Sequence, residues 1–185
     1  MEIQLACKEW ASVCAALASG RQTILLRKGG IAEPTGDFQI QSKWFWLYPT
    51  FVHQQQNQLK ETEFLKLGEN YKAPESKVRL FNLAEIVDSF YITDLAKIKS
   101  LDSFHILSDE CINSRFLYRT SGLNVLILRI YQATKIIEIS ETDFYLGCKS
   151  WVKLDNSIEA GGVTPVLSPL IFEEEVNKLR NILKD

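Results

Sequence analysis

Five consecutive residues, Trp44-Phe45-Trp46-Leu47-Tyr48, are large and apolar or aromatic at every position. The run is too short for a buried helix and shows no alternation, so it reads as a strand that buries both faces. Pro49 follows and is expected to break the pattern. The run belongs to a denser window, Arg27 to Gln55. That window also holds a cationic glycine turn (Arg27-Lys28-Gly29-Gly30), two acids (Glu33 and Asp37) and His53-Gln54-Gln55. Aromatic bulk beside polar groups that need partners describes a pocket rim, and equally a packed sheet with a charged edge.

The rest of the chain supplies elements around this strand. Residues 3–18 read as an N-terminal helix, with Leu5, Trp10, Val13, Cys14 and Leu17 near one stripe and Gly20 as its closing glycine. Gln22 to Arg27 is a short β-rich run, and Phe38 begins an alternating strand. His53 to Phe64 is polar and suits a short helix. Lys77 to Thr93 is a strand with a bulge expected at Asn82 to Glu85. Short helices follow, one after Thr93 or Asp94 and one capped by Ser108. Leu123 to Tyr131 is the strongest strand, with Lys135 to Ile139 its extension or its partner. Gly147 to Leu154 alternates as a strand, Gly161 to Pro169 reads as a loop, and Pro169 to Leu183 is a C-terminal helix behind Ser168. The order argues for an α+β fold: a mixed or mainly antiparallel sheet with an N-terminal helix, central short helices and a C-terminal helix.

With 185 residues, 46% of them apolar and 24% charged, one domain over residues 1–185 is expected. The net charge of −2 gives no global reason to expect nucleic acid or acidic membranes, although 21 Lys and Arg against 23 acids leave room for a local basic patch. No apolar run reaches the roughly 18 residues that span a bilayer, and Met1-Glu2-Ile3-Gln4 does not open a signal peptide. The expectation is a cytoplasmic protein without a membrane segment. Cys7, Cys14, Cys111 and Cys148 form no Cys-x-x-Cys pair, which disfavours zinc ribbons and redox dithiols, and Cys7 and Cys14 read as packing thiols.

Several constellations carry chemistry. Arg27-Lys28-Gly29-Gly30 has the donors and charge for a phosphate but lacks P-loop and dinucleotide spacing; a hairpin turn with solvated cations is the plainer reading. Gly29-Gly30-x-x-Glu33 opens like a Nudix box, yet the acidic helix that completes one is absent. Glu33 and Asp37 lack the Glu-x-Lys strand of a restriction-type nuclease core. His53 suits general-base chemistry, although a hydrogen-bonding role is commoner at such a junction, and His105 between Phe104 and Ile106 looks structural. Two His without paired spacing make no metal site, and no cofactor motif is present. Arg129 lies in the most apolar strand, so it must be paired with an acid, reach the surface, or clamp a carboxylate or phosphate. In the Gly147 to Leu154 strand, Cys148 and Ser150 share one face, and Lys149 and Trp151 the other; Cys148 as a nucleophile would need a partnered base.

Two groups of residues carry a family resemblance. One is Leu25-Leu26-Arg27-Lys28-Gly29-Gly30-Ile31, with Phe38 and then Leu47-Tyr48-Pro49-Thr50-Phe51-Val52-His53-Gln54. The other is Arg115-Phe116-x-Tyr118, Leu126-Ile127-Leu128-Arg129-Ile130-Tyr131 and Gly147-Cys148-x-Ser150-Trp151-Val152-x-Leu154; Lys8-Glu9-Trp10 also fits. Together they resemble the family known as domain of unknown function 1802, found in cyanobacteria and other bacteria, over about residues 3–154. The chain departs from it at Gln41-Ser42-Lys43-Trp44, where the family often has a charged or His-bearing element. The resemblance brings no established activity, only an association with restriction–modification proteins and nucleic-acid processing.

The leading expectation is a non-catalytic module binding an anionic ligand, nucleic acid or a restriction–modification protein being the partners considered. One cleft would be formed by the Gly-Gly turn, the Tyr48 to Gln55 segment, Arg115, Arg129 and the Gly147 to Trp151 strand, with Arg27, Lys28, Gly29, Gly30, Tyr48, His53, Gln54, Arg115, Arg129 and Trp151 as its binding residues. The rival is a small-molecule enzyme using His53 with Cys148 or Ser150. A third reading makes Trp44 to Phe51 an interface in a larger assembly.

Overall fold

The computed structural model describes residues 1–28, 38–60, 67–71, 75–147 and 149–184. The first element corrects the sequence reading. Glu2–Trp10 is a strand, β1, and only Ala11–Ala18 is helical, α1. β1 lies between two partner strands and buries residues on both faces, which erases the alternation that marks a strand. α1 is itself buried nearly all round, so no polar stripe distinguished the two segments.

The remaining strands are β2 (Ile24–Arg27), β3 (Trp44–Thr50), β4 (Lys77–Ile92), β5 (Leu123–Ser140), β6 (Trp151–Glu159) and β7 (Val163–Pro165). They form one sheet in the order β2-β5-β4-β3-β1-β6, with β7 added to the far half of β5. β1 and β3 run parallel, and the other pairings described are antiparallel. The fold is α+β with a mixed sheet, as expected.

β3 behaves as its composition demands. Phe45 and Leu47 enter a core beneath the helices, while Trp46 and Tyr48 enter a second core with Leu80, Leu83 and Val152. Contrary to expectation, the strand runs through Pro49 to Thr50. Its ladder with β4 covers only Trp44 to Trp46, so the missing proline N–H falls where no β4 partner is waiting. Phe38 does not begin a strand, because its ring stacks on Trp151 with centroids 5.8 Å apart and holds the segment as a loop.

β4 and β5 form a long antiparallel ribbon, and Lys135 to Ile139 belongs to β5. Register shifts lie between Leu80 and Asn82 and between Ile86 and Asp88, on either side of the expected bulge. Such bulges bend and twist the ribbon. β6 starts later than expected, at Trp151, and β7 replaces part of the expected C-terminal loop through its pairing with β5.

Helices α2 (Leu95–Lys99) and α3 (Asp109–Leu117) carry the expected caps. Asp94 accepts from Ala96 N–H, and Ser108 from Cys111 N–H. α4 (Pro169–Lys184) buries Phe172, Val176, Leu179 and Leu183 as one stripe. Of the short helix expected over His53 to Phe64, the described residues (to 60) hold one 3₁₀ turn, Gln56–Gln58; residues 61–64 lie outside the described ones.

His105 is buried between α2 and α3, and its Nδ1 accepts the Leu107 N–H at 3.2 Å. Burial, reinforced by the Lys60 charge, lowers its pKa to about 4. The unfolded chain therefore takes up the proton first. Stability from neutral His105 is complete above about pH 6.5 and is lost as the pH falls from there toward 4. The full loss is about 3 kcal/mol. His105→Gln should flatten this part of the pH dependence, read as urea midpoints at pH 7 and pH 5 for the two proteins.

Candidate functional site

Because β1 and β3 are parallel, their C-terminal ends leave the sheet side by side at Trp10 and Thr50. Such paired carboxyl ends leave a crevice where connecting segments gather. β6 is antiparallel to β1 and starts opposite Cys7, so Gly147, Lys149 and Ser150 arrive at the same place. β2 ends there with Arg27 and Lys28, and α3 closes one side with Ser114, Arg115 and Tyr118. The result is a cleft of about 500 Å³.

Its lining is cationic. Lys8, Arg27, Lys28, Arg115 and Lys149 face it with His53, and Glu141 is the carboxylate among the described lining residues. Main-chain carbonyls position several cations. Lys8 Nζ donates to the Tyr145 and Gly147 carbonyls, and Lys28 Nζ to those of Thr120 and Gly122. Arg115 Nη1 donates to Leu26 O at 2.9 Å, and its guanidinium lies 4.4 Å from the Trp10 ring centroid. Lys149 Nζ sits 4.2 Å from the centroid of the exposed Phe144 ring. Arg115 and Lys149 have no carboxylate partner among the described residues, so both bring their full charge to the cleft.

Arg27 differs. Its Nη1 bonds Glu9 Oε2 at 2.7 Å and Lys8 O at 3.1 Å, with the two side chains 11% and 2% exposed. Glu9 Oε1 also accepts the Trp10 N–H, which fixes the end of β1. This pair is a structural joint at the cleft floor.

Backbone strain collects here too. His53 and Arg119 sit at φ of 61° and 60°, and Ser76, whose carbonyl accepts the Glu141 N–H, at 57°. These are the non-glycine residues with positive φ among those described, and all three adjoin the cleft or its neighbours. Left-handed conformations at such residues each cost about 1–3 kcal/mol and are retained only where the surroundings impose them.

Of the residues singled out in the sequence, Arg27, Lys28, His53, Arg115 and Ser150 line the cleft. Tyr48 is buried behind it and reaches it through its hydroxyl, which donates to Glu141 Oε1 at 2.9 Å. Gln54 instead accepts the Ser12 N–H in the first turn of α1. Trp151 turns into the core, edge-on to Phe45, with its indole N–H on Gln39 O. Arg129 is the correction. It lies in a separate depression with Gly20, Thr23 and Leu167, its guanidinium packed over Phe172 and Tyr131 at 5.3 and 5.7 Å. Among the described residues no acid pairs with it and its Nε has no hydrogen-bond partner; the two aromatic faces are its contacts. Gly29, Gly30 and Cys148 lie outside the described residues.

Lys8, Trp10, Tyr118 and Glu141 were not foreseen as lining residues, whereas Lys149 belongs to the Gly147 to Trp151 segment expected there. Reading β1 as helix hid the first two, since only a strand end brings Lys8 and Trp10 to the sheet edge. Cys7, Cys14 and Cys111 are buried; burial raises the pKa of Cys14 and of Cys111, leaving both unreactive. Among the described residues no three His, Cys, Asp or Glu gather as a metal site, and no helix is long and apolar enough to cross a membrane.

Glu9→Ala removes the carboxylate that Arg27 Nη1 bonds in a mostly buried site, and the acceptor of the Trp10 N–H. It should destabilise the protein by about 3 kcal/mol, seen as a lower urea midpoint at unchanged slope.

Comparison with known proteins adds a family. The model of the domain of unknown function (DUF1802) matches residues 6–178, so the chain belongs to that family. No curated protein matches the sequence. Among solved structures, the crystal structure of ASCH from Zymomonas mobilis is similar at 17% identity and a TM-score of 0.42, over 68% of this chain and 66% of that one. A point mutant of that protein is similar at 13% identity and a TM-score of 0.46, over 81% and 88%.

Proposed function

We propose that this member of the DUF1802 family binds single-stranded nucleic acid in the cleft, with backbone phosphates on the cations and a base against the exposed rim. One observation carries the reading. Among the described residues, Lys8, Lys28, Arg115 and Lys149 converge on one concavity lined by one carboxylate, Glu141, while Arg27 is paired with Glu9, in a chain whose net charge is −2. A charge concentration of this kind against the overall balance is what an anionic partner requires.

The rim supports a strand rather than a free inorganic anion. Val52, Tyr118 and Leu146 line the cleft and are 59%, 40% and 46% exposed. Apolar and aromatic surface beside cations suits a ligand that alternates ring and phosphate. Arg115, its guanidinium 4.4 Å from the Trp10 ring centroid, adds a planar cation able to bond phosphate oxygens or stack against a base.

A labelled oligothymidylate should bind, and bind more weakly as salt rises. Lys149→Ala should weaken binding several-fold and reduce the slope of log K against log salt by about 0.7, the value for one phosphate contact on a single strand. Arg115→Ala should cost about tenfold or more, because it removes charge and platform together. Fluorescence anisotropy measures both, with circular dichroism to establish that each variant is folded. Binding indifferent to salt and to both substitutions would exclude the proposal.

The second reading, a small-molecule enzyme using His53 with Cys148 or Ser150, is supported by His53 and Ser150 lining the same cleft. It requires a covalent adduct at Ser150 or Cys148 with an electrophilic probe, lost in His53→Ala. The narrower expectation of a restriction–modification partner is tested separately, by whether a nuclease or methylase gene adjoins this one.

A further inference from the structure

A cleft built to attract phosphates has an electrostatic reason to exclude carboxylates, yet Glu141 lines it. Its placement is fixed from three directions. It follows the last residue of β5, its N–H donates to Ser76 O at 2.9 Å, and its Oε1 accepts the Tyr48 hydroxyl at 2.9 Å. Tyr48 is buried in the inner core of β3, so the hydroxyl is as rigid as the sheet. Burial and the neighbouring carboxylate raise the Tyr48 pKa, which keeps the phenol a donor. Glu141 itself is exposed, and Oε2 has no hydrogen-bond partner among the described residues. A carboxylate so aimed, with Oε2 open and a second lone pair left on Oε1 beside the one that takes the Tyr48 hydroxyl, is prepared for a ligand that donates.

We propose that Glu141 is a specificity residue that selects guanine in the bound strand; this rests on the nucleic-acid reading above. An ionised carboxylate only accepts hydrogen bonds. Guanine is the base whose Watson–Crick edge presents two adjacent N–H donors, the ring imino and the exocyclic amino group. They match the two oxygens of one carboxylate, as a bidentate pair. Adenine and cytosine each set one amino group beside a ring nitrogen whose lone pair faces the carboxylate. Thymine and uracil flank their single imino group with carbonyl oxygens. Repulsion therefore discriminates against these bases as much as attraction favours guanine. The surrounding cations take the flanking phosphates, so the same cleft holds the acidic base reader and the basic backbone clamp without conflict. Val52 and Leu146, exposed in the same lining, offer apolar contact to the ring.

The test uses the full chain and labelled short oligothymidylates carrying one central guanine, one central hypoxanthine, or thymine throughout. Hypoxanthine keeps the imino donor and lacks the amino group. Wild-type protein should bind the guanine strand about tenfold more tightly than the thymine strand, the discrimination of one good bidentate pair, with hypoxanthine between them. Glu141→Gln should bring the three affinities together, because a side-chain amide presents one acceptor and one donor group. Glu141 is exposed, so this variant is expected to fold, and circular dichroism checks it. Equal binding of the three strands by the wild type would overturn guanine selection while leaving the nucleic-acid reading intact. A guanine preference that survives Glu141→Gln would assign the selection to another residue. No binding of any strand would overturn both proposals.

Discussion

The ion pair between Glu9 and Arg27 joins strands that the hydrogen-bonded order keeps far apart. From β2 to β1 the path runs through β5, β4 and β3, four steps in all. In a flat sheet four steps amount to about 19 Å, beyond the joint reach of the two side chains. Their atoms nevertheless meet at 2.7 Å. The sheet must therefore curl, and the bulges in the β4–β5 ribbon supply the bend. Curling encloses the inner core of Trp46, Tyr48, Leu80 and Leu83, while α1, α3 and α4 cover the outer one. It also brings the end of β2 to the ends of β1 and β3, and that convergence creates the cleft.

Once the strand ends are gathered, the cleft's chemistry follows from what each end carries. Glu9 satisfies Arg27, which turns one cation into a joint. Arg115 and Lys149 have no carboxylate partner among the described residues. Carbonyls of the 145–147 segment hold Lys8, and those of residues 120 and 122 hold Lys28, so the loops are tied to the same cations that line the site. The left-handed backbone at His53, Ser76 and Arg119 belongs to the same economy of space. Chain segments must turn sharply where several elements end together, and the packed sheet beneath them holds the strain.

The sequence and the structure agree best where local chemistry decides. The apolar run of β3 could only be a strand buried on both faces, and Ser108 and Asp94 cap their helices as short polar acceptors do. They part where a partner decides. β1 looks helical because both its faces are covered, and β7 looks like a loop because it is a strand only through its pairing with β5. Among candidate site residues, Arg27, Lys28, His53, Arg115 and Ser150 were legible because cations, a histidine and a hydroxyl beside turns need partners. Glu141 and Lys8 were not, since nothing in their neighbours tells which strand end they will face.

The sequence by itself determined that this chain folds as α+β around an aromatic strand, and that it belongs with the family whose motifs it carries. Composition and periodicity act over a few residues, and those features are written at that range. Only the tertiary structure decided that Arg129 stands apart against Phe172, that Trp151 faces inward, and that Glu141 joins the cations. These outcomes depend on the curl of the sheet, which brings residues more than a hundred positions apart to one cleft. A global charge of −2 cannot reveal a cationic cleft, because charge acts through distance in space and the sequence records only distance along the chain.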